Sequence, residues 1–336
     1  MRIAVDAMGG DNAPFEIVKG CVQACERVDD QIILVGKEAL VKAELEKYEG
    51  LYEPGHITVV NADDVIHGDD SPVQAVRRKP GSSMVVAVDM VRNGEADAIL
   101  SAGNTGALMV AGLMHLGRIP GVERPAIVSP LPNIGGSGFS IIVDAGANAE
   151  CKATNLLGFA RMGSIYMQDA FGREEPTVGL INIGTEETKG TEMLKEAHKL
   201  LKDSGLNFVG NVEARDISSG AADVLVCDGF TGNIVLKLAE GVAWDIMKTI
   251  KQTITEDTVS KVAGLLLKKK LGGLKNKLDY SVYGGAPILG LKGAVFKMHG
   301  SSTASAVENA VVRASVATSA GFMEAIEEAM KGEAVE

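Results

Sequence analysis

The chain has 336 residues and a formal net charge of −11, and 46% of its residues are hydrophobic while only 4% are aromatic. This length allows one large or two modest domains with a sizeable core, and the acidic charge argues against a general nucleic-acid binder. The low aromatic content, together with 40 glycines, favours close-packed α/β layers over an aromatic-rich β-sandwich.

Short apolar segments rich in Ile and Val alternate with longer helical patterns along most of the chain. Strands are predicted at residues 3–5, 32–35, 57–60, 98–100, 126–128, 140–143, 178–181, 207–209 and 224–226, and helices at residues 16–27, 83–93, 155–171 and 191–204. Continuously apolar strands separated by helices indicate parallel βαβ units with both faces covered. We expect a single catalytic α/β unit over residues 1–331, or two subdomains around a cleft, and a frayed tail at residues 332–336.

The start of the chain and its cysteines indicate an ordinary intracellular protein. Met1 leads directly into the first strand, and polar residues interrupt the least charged window, residues 98–117. We therefore expect no signal peptide, no membrane span and a cytoplasmic location. The four cysteines form no CxxC or zinc pattern, so no metal or other cofactor is predicted. Cys21 and Cys25 are expected to be small buried residues, and Cys227 a core residue rather than an acyl-accepting nucleophile.

Five of the predicted strands are followed by a small, polar, glycine-bearing loop. Because ligands bind at the carboxyl edge of an open parallel sheet, this edge is the predicted active site. Glycine lets the backbone approach a ligand, and Thr and Asn side chains can bind phosphate or carbonyl oxygens. Such residues also cap helices, and both roles can hold at once. The candidate binding residues are Asp6, Gly9, Gly10, Ser101, Gly103, Asn104, Thr105, Asp144, Asn148, Gly184, Thr185, Glu186, Asp228, Gly229, Thr231, Gly232 and Ser301.

The loop GTEETKG, residues 184–190, leaves a strand and enters a helix. Backbone N–H groups at such a helix start are free and suit an anion, and Lys189 can add a full positive charge. A solvated charged turn is the alternative interpretation. The spacing is not that of a Walker A loop, and no GxGxxG follows the first strand, so classical dinucleotide binding is disfavoured.

The segment HGSS, residues 299–302, precedes a helical pattern at residues 304–317. Ser301 or Ser302 is expected to be the N-cap of that helix. His299 is then placed to donate to an anion held at the helix start. The chain has no GxSxG elbow, so His299 and Ser302 are not predicted to form a hydrolase pair.

The segment from 241 to 278 shows a helical pattern without a strand, and residues 258–278 contain six lysines and no acidic residue. Leucines interleave with these lysines, which is typical of a basic amphipathic helix or hairpin that binds an anionic membrane or an acidic partner. An ordinary surface helix with its leucines facing the core is the alternative. The docking candidates are Lys261, Leu265, Lys268, Lys269 and Lys270, with a second cluster at Arg77 and Arg78 that can also be a solvated helix end.

Several motifs occur in one order over residues 2–302: MRIAVDAMGGD, SAGNTGAL, RPA, DAGAN, NIGTEETKG, NVEARD, CDGFTGN, YGGA and HGSS. Together they resemble the bacterial phosphate acyltransferases that begin phospholipid synthesis. That family converts acyl-[acyl carrier protein] and inorganic phosphate into acyl phosphate and free carrier protein. Two departures stand out: Asn12 lies where the family often has His, and Glu150 lies where Asp is usual. We therefore assign no proton transfer to Asn12.

The resemblance implies a three-layer α/β/α sandwich with a mostly parallel sheet, similar to phosphotransacetylase and to the isocitrate and isopropylmalate dehydrogenases. It also implies a protruding helical segment at residues 241–280, which contains the basic residues. The implied partners are acyl-[acyl carrier protein], phosphate, a second copy in a homodimer, the membrane surface, and the downstream membrane glycerol-phosphate acyltransferase.

Our hypothesis for the mechanism is direct attack of phosphate on the thioester carbonyl, which needs charge neutralisation, alignment and oxyanion stabilisation. Lys189 is the candidate for the phosphate charge. Asn233 and the backbone of residues 101–107 are candidates for holding the oxyanion or phosphate oxygens, and His299 for a donor or a proton source. Asp228 is expected to orient a neighbour rather than act as a base. The alternatives are a metal- and nicotinamide-dependent decarboxylating dehydrogenase and a non-enzymatic membrane-bound scaffold.

Overall fold

The structure is a computed structural model that describes residues 1–134, 138–278 and 284–331. The chain divides into two compact units. The first comprises residues 1–128 and 161–176 with the described part of 283–336, and the second comprises the described part of 129–160 and 177–282. The predicted tail at residues 332–336 lies outside the described residues.

Strands and helices alternate along most of the described chain. The strands are β1 (Arg2–Asp6), β2 (Gln31–Gly36), β3 (Ile57–Asn61), β4 (Ala98–Ser101), β5 (Ala126–Pro132), β6 (Phe139–Val143), β7 (Val178–Asn182), β8 (Phe208–Glu213), β9 (Val224–Val226), β10 (Ala286–Leu289) and β11 (Ala294–Lys297). The helices are α1 (Phe15–Ala24), α2 (Glu38–Leu45), α3 (Pro72–Arg78), α4 (Ser83–Arg92), α5 (Thr105–Ala111), α6 (Ala153–Phe171), α7 (Glu192–Lys202), α8 (Gly229–Thr255), α9 (Thr258–Leu278), α10 (Ala304–Ser319) and α11 (Phe322–Lys331).

In the first unit the strands lie in the order β3-β2-β1-β4-β11-β10. Every neighbouring pair is parallel except β10 and β11. Ile3, Ala4 and Val5 are completely buried, although consecutive strand residues point to opposite faces of a sheet. Helices therefore cover both faces of the central strands, and α4 and α10 both pack against β1 and β4.

In the second unit the strands lie in the order β6-β9-β7-β8. The pairs β6–β9, β9–β7 and β7–β8 are all parallel. All five residues of β7 are buried, as expected for a strand covered on both faces. Because these strands run in the same direction, the loops that follow β6, β9 and β7 leave at the same edge. That edge carries most of the second unit's candidate residues.

The helical pattern after residue 240 corresponds to the remainder of α8 and to α9. These two long helices pack against each other. The prediction of helices without a strand over residues 241–278 is confirmed as far as the described residues extend. Leu265 and Leu266 are 72% and 83% exposed, so these leucines do not face the core of the described chain. Of the helices within the described ranges, none combines the length and the apolar character that a membrane crossing requires.

The nine predicted strands are all present, with their ends moved by a few residues. Two strands, β10 and β11, were not predicted, because each has only four residues and loops surround both. The predicted N-cap of α10 is wrong: the residue at that position is Thr303, and its side chain makes no cap bond. The carboxylate of Glu16 on α1 accepts from the backbone N–H of Ala304 at 2.6 Å instead.

Candidate active site

The predicted site residues divide into two sets, one in each unit. The set in the first unit follows β1, β4 and β11 and comprises Asp6, Gly9, Gly10, Ser101, Gly103, Asn104, Thr105, His299 and Ser301. The set in the second unit follows β6, β7 and β9 and comprises Asp144, Asn148, Gly184, Thr185, Glu186, Lys189, Asp228, Gly229, Thr231, Gly232 and Asn233. Each set is described within its own unit.

Asp6 ends β1 and is the centre of the first set. It is 1% exposed, and its carboxylate accepts from the hydroxyls of Ser83 and Ser101, each at 2.6 Å. Burial raises the pKa of Asp6, while these hydroxyl bonds act in the opposite direction. A Cβ on Gly9 would lie 2.5 Å from Asp6 Oδ2 and 2.7 Å from the backbone N of Gly103. Asp6 thus connects β1, β4 and α4 beneath the glycine loops.

Lys297, the last residue of β11, was not predicted as a site residue. It lies in register with Ser101 of the neighbouring strand β4, and its Nζ donates to the carbonyl of Met298. Burial lowers the pKa of Lys297 to about 8, against the opposite influence of Asp6 and Asp11. The sequence carried one signal for it, a lysine at the end of an apolar run directly before the HGSS segment.

His299 is exposed at the start of the loop that precedes α10. Its Nδ1 lies 2.8 Å from Ser301 Oγ and 3.3 Å from the backbone N of Ser301. Because a backbone N–H can only donate, Nδ1 accepts, and a neutral ring then carries its proton on Nε2. The side-chain amide of Asn12 donates to the carbonyl of Ser301 at 3.4 Å, and the backbone N of Asp11 donates to the carbonyl of Gly300 at 2.8 Å. The loops after β1 and β11 are therefore in contact.

Asn104 and Thr105 show that turn chemistry accounts for part of the SAGNTGA motif. Asn104 caps α5 by accepting from the backbone N of Ala107 at 2.9 Å. Its amide nitrogen also donates to the carbonyls of Gly68 and Asp70. Thr105 begins α5 and is exposed. The cap prediction is confirmed for Asn104, and its role toward a ligand stays a prediction.

Asp144 follows β6 and is the corresponding buried carboxylate of the second set. It accepts from the backbone N–H groups of Gly146, Ala147 and Asn148 and from the Asn148 amide, at 2.7 to 3.1 Å. Two glycines of the first turn of α8, the helix that follows β9, pack closely on it. A Cβ on Gly229 would lie 2.7 Å from Asp144 Oδ2, and one on Gly232 would lie 1.9 Å from the Asp144 carbonyl oxygen. Asp144 and Asn148 therefore fix the shape of their own loop.

The motif DGFTGN forms the N-terminus of α8. Asp228 caps the helix by accepting from the backbone N of Thr231 at 2.7 Å. Asn233 is exposed in the first turns of the helix, and its side chain lies beside the backbone of Gly146, where a Cβ would be 3.5 Å from Asn233 Cβ. Cys227 is 1% exposed, and burial raises the pKa of its thiol. The prediction that Cys227 is a core residue is confirmed.

The GTEETKG loop between β7 and α7 exposes Thr185, Glu186 and Lys189, while Gly184 is buried. Asn182, which was not predicted as a site residue, donates from its amide to the Lys189 carbonyl at 3.2 Å. Within the described ranges, no carboxylate lies within ion-pair distance of Lys189. Its ammonium group is therefore open to an anion from solution.

The basic docking candidates are all on the surface. Lys261, Lys268, Lys269 and Lys270 are exposed on α9. Arg77 and Arg78 are exposed in the last turn of α3. Over the residues that the structure describes, no cluster of three or more His, Cys, Asp or Glu side chains is arranged to hold a metal ion.

Comparison with known proteins extends over almost the whole chain. The model of a family described as "Fatty acid synthesis protein" matches residues 1–325. A phosphate acyltransferase of Alkaliphilus oremlandii is 51% identical over 314 residues, which cover 94% of this chain and 92% of that protein. A phosphate acyltransferase of Bacillus licheniformis is 48% identical over 337 residues and is covered completely, as is this chain.

Among solved structures, a phosphotransacetylase from Streptococcus pyogenes matches with a TM-score of 0.62 and 17% identity. The match covers 95% of this chain and 94% of that structure. At this identity the likeness concerns the fold alone, and it confirms the predicted mixed α/β fold with a mostly parallel sheet.

Proposed function

This chain belongs to the phosphate acyltransferase family and is an acyltransferase; we propose that its acyl donor is acyl-[acyl carrier protein] and its acceptor inorganic phosphate. The products are then acyl phosphate and free carrier protein, in an early step of membrane phospholipid synthesis. The observation that carries the proposal is that one unit presents the unpaired ammonium of Lys189, on the loop after β7, and the exposed amide of Asn233, in the first turns of the helix after the neighbouring strand β9.

The proposed step needs no protein nucleophile. A phosphate oxygen forms a bond to the thioester carbonyl carbon, the carbon–sulfur bond breaks, and the carrier thiolate leaves with the electron pair and takes up a proton. Lys189 neutralises the phosphate charge, and Asn233 donates to the oxyanion or to a phosphate oxygen. His299 is proposed as a donor or as the proton source, because its Nδ1 accepts from the backbone N of Ser301 and its donating N–H is then at Nε2.

The first test is a product assay with purified protein, acyl-[acyl carrier protein] and phosphate. Lys189→Ala and Asn233→Ala should each slow acyl phosphate formation by about 30-fold or more, since removal of one such donor costs about 2 to 4 kcal/mol of barrier. Lys195→Ala is the matched control, because it removes a partly exposed lysine of α7 that pairs with Glu192. Near-normal rates in both site variants would refute the site assignment, and absence of acyl phosphate with the native protein would refute the function.

We propose that the basic residues of α9 bind either an anionic membrane surface or the acidic carrier protein. The charge reversal of Lys268, Lys269 and Lys270 to Glu distinguishes the two partners. Loss of binding to anionic vesicles supports the membrane, and a raised KM for the carrier-protein substrate supports carrier docking. If neither changes, the segment is structural. Arg77→Glu with Arg78→Glu tests the second basic cluster in the same two assays.

We also propose that the protein acts as a homodimer at the membrane, next to the membrane glycerol-phosphate acyltransferase that consumes its product. Apolar residues at intervals of four form an exposed stripe along α8, which a second copy would cover: Phe230, Ile234, Leu238, Val242 and Ile246. Light scattering at several concentrations should give twice the mass of one chain, and Leu238→Glu should give one. A native protein with the mass of a single chain would refute the dimer.

A further inference from the structure

We propose that His198 and Asn211 are positioning residues that hold the GTEETKG loop, and with it Lys189, in the conformation that binds phosphate. The inference rests on the proposed function, since that function assigns the phosphate to Lys189. Both residues belong to the second unit. Neither is a candidate for contact with substrate: His198 is 6% exposed and Asn211 is 7% exposed.

A chain of hydrogen bonds leads from His198 to the loop. His198 lies on α7, and its Nδ1 is 3.0 Å from Oδ1 of Asn211 on β8. The amide nitrogen of Asn211 donates to the carbonyl of Glu186 at 2.8 Å. That same carbonyl accepts from the backbone N of Lys189 at 3.1 Å. Asn211 and Lys189 therefore share one acceptor in the middle of the loop.

The direction of each bond follows from the chemistry of the groups. The Glu186 carbonyl can only accept, so the amide nitrogen of Asn211 must face it, and Oδ1 then faces the histidine. Nδ1 of His198 must therefore carry a proton. The ring of Phe208 packs edge-on against the imidazole with centroids 5.0 Å apart, and Nε2 lies 3.7 Å from Glu187 Oε1. The histidine is thus fixed in place and in the orientation that keeps Asn211 turned toward the loop.

The loop is held from both sides of Lys189. Asn211 acts through the Glu186 carbonyl before it, and Asn182 holds the Lys189 carbonyl itself at 3.2 Å. Gly190 follows with a φ of +89°, a conformation that favours glycine and turns the chain into the Thr191 cap of α7. If the histidine no longer holds the Asn211 amide, the Glu186 carbonyl loses one of its two donors, and the backbone that carries Lys189 gains freedom.

The test uses the full-length protein and two independent measurements. Asn211→Asp keeps the shape of the side chain but places a carboxylate against the Glu186 carbonyl, and His198→Leu keeps an apolar contact with Phe208 but removes the donor. In both variants, hydrogen exchange of the backbone amides of residues 184–190 should become about tenfold faster. The KM for phosphate should rise about tenfold, while the KM for acyl-[acyl carrier protein] stays unchanged.

His198→Asn is the conservative variant, because its amide nitrogen can take the place of Nδ1, and it should restore most of the phosphate KM. Lys202→Ala is the control: it removes the exposed ion pair with Glu187 of the same loop and should change neither measurement. If His198→Leu fails to fold, Asn211→Asp decides alone.

Unchanged exchange of residues 184–190 in a folded Asn211→Asp variant would overturn the inference. Faster exchange with an unchanged phosphate KM would also overturn it, since the held loop would then not serve phosphate binding. Failure of the proposed function has a different signature: Lys189→Ala would leave the phosphate KM unchanged, whatever the exchange of the loop in the Asn211 variant.

Discussion

Asp6 and Asp144 both stand at the carboxyl end of a parallel strand and are both buried, but different donors hold them. Asp144 accepts from backbone N–H groups of the loop that follows it. Asp6 accepts from two side-chain hydroxyls, one from β4 and one from α4, and also from the backbone N–H of Met8 in its own loop at 3.2 Å. In the second unit the carboxylate therefore shapes its own loop, whereas in the first unit it contacts its own loop and also joins separate elements. The same residue at the same kind of position serves local order in both units, and in the first unit it adds packing between elements.

Lys189 of the second unit and Lys297 of the first unit also differ in their exposure and in their partners. Lys189 is exposed on its loop and has no carboxylate partner within the described ranges. Lys297 is partly buried, its Nζ donates to a neighbouring carbonyl, and burial lowers its pKa to about 8. The Lys189 ammonium is thus exposed to solvent, whereas the Lys297 ammonium is engaged by a carbonyl of its own unit.

The largest effect on the free energy of unfolding is expected at Gly232, where the first turn of α8 packs tightly against Asp144. Gly232→Ala places a Cβ 1.9 Å from the Asp144 carbonyl oxygen, so backbone must move, and we expect a loss of more than about 3 kcal/mol in the free energy of unfolding. Gly241→Ala lies on the same helix with open space around it and should gain about 1 kcal/mol. Urea denaturation measures both, and similar values for the two variants would contradict the packing argument.

Asp144→Asn should cost about 2 kcal/mol, because both carboxylate oxygens accept N–H donors and an amide nitrogen in either position would leave donors unpaired. Asp6→Asn should cost clearly less at neutral pH, since an amide can donate to one serine hydroxyl and accept from the other. Chemical denaturation of both variants under identical conditions tests the contrast. Equal costs would mean that the two carboxylates are held in equivalent ways.

Smaller losses of stability are expected at the N-caps Asp228 of α8 and Asn104 of α5. Asp228→Ala removes one cap bond from α8 and should cost about 1 kcal/mol. Asn104→Ala removes the cap of α5 together with two donations to the carbonyls of Gly68 and Asp70, so its cost should be larger, about 2 kcal/mol. Thermal unfolding followed by circular dichroism ranks them, and a reversed order would contradict this reading of Asn104.

The smallest effect is expected in the pH dependence that Asp6 contributes. The pKa of Asp6 is raised in the folded protein above its unfolded value of about 3.9, so the folded state holds the proton more tightly. Stability from this group is full below the unfolded pKa and falls as the pH rises through the folded pKa. Asp6→Asn should therefore gain stability relative to the native protein as the pH rises above about 4. Asp29→Asn, an exposed position, controls for the lost charge, and an identical pH dependence would exclude a contribution from Asp6.

Much of the fold could be predicted because it rests on local patterns. The three consecutive apolar residues of β9, for example, followed by a cap at Asp228 and a glycine-bearing first turn, predict a buried strand, a turn and a helix start. The short strand β11 could not be predicted in this way, since four residues give too little periodicity. Lys297 at its end was missed for the same reason.

The sequence by itself determined nine of the strands, the loops at their carboxyl ends, the caps at Asn104 and Asp228, and the family resemblance that the comparisons confirm. Only the tertiary structure decided the long-range partners. Ser83 bonds Asp6 across 77 positions of the chain, Glu16 caps the N-terminus of α10 in place of a serine, and His198 reaches the GTEETKG loop through Asn211. The physical reason is that a propensity or a cap acts within a few residues. A hydrogen bond between distant residues depends on the order of strands and on which helix face is buried, and neither is encoded in a local pattern.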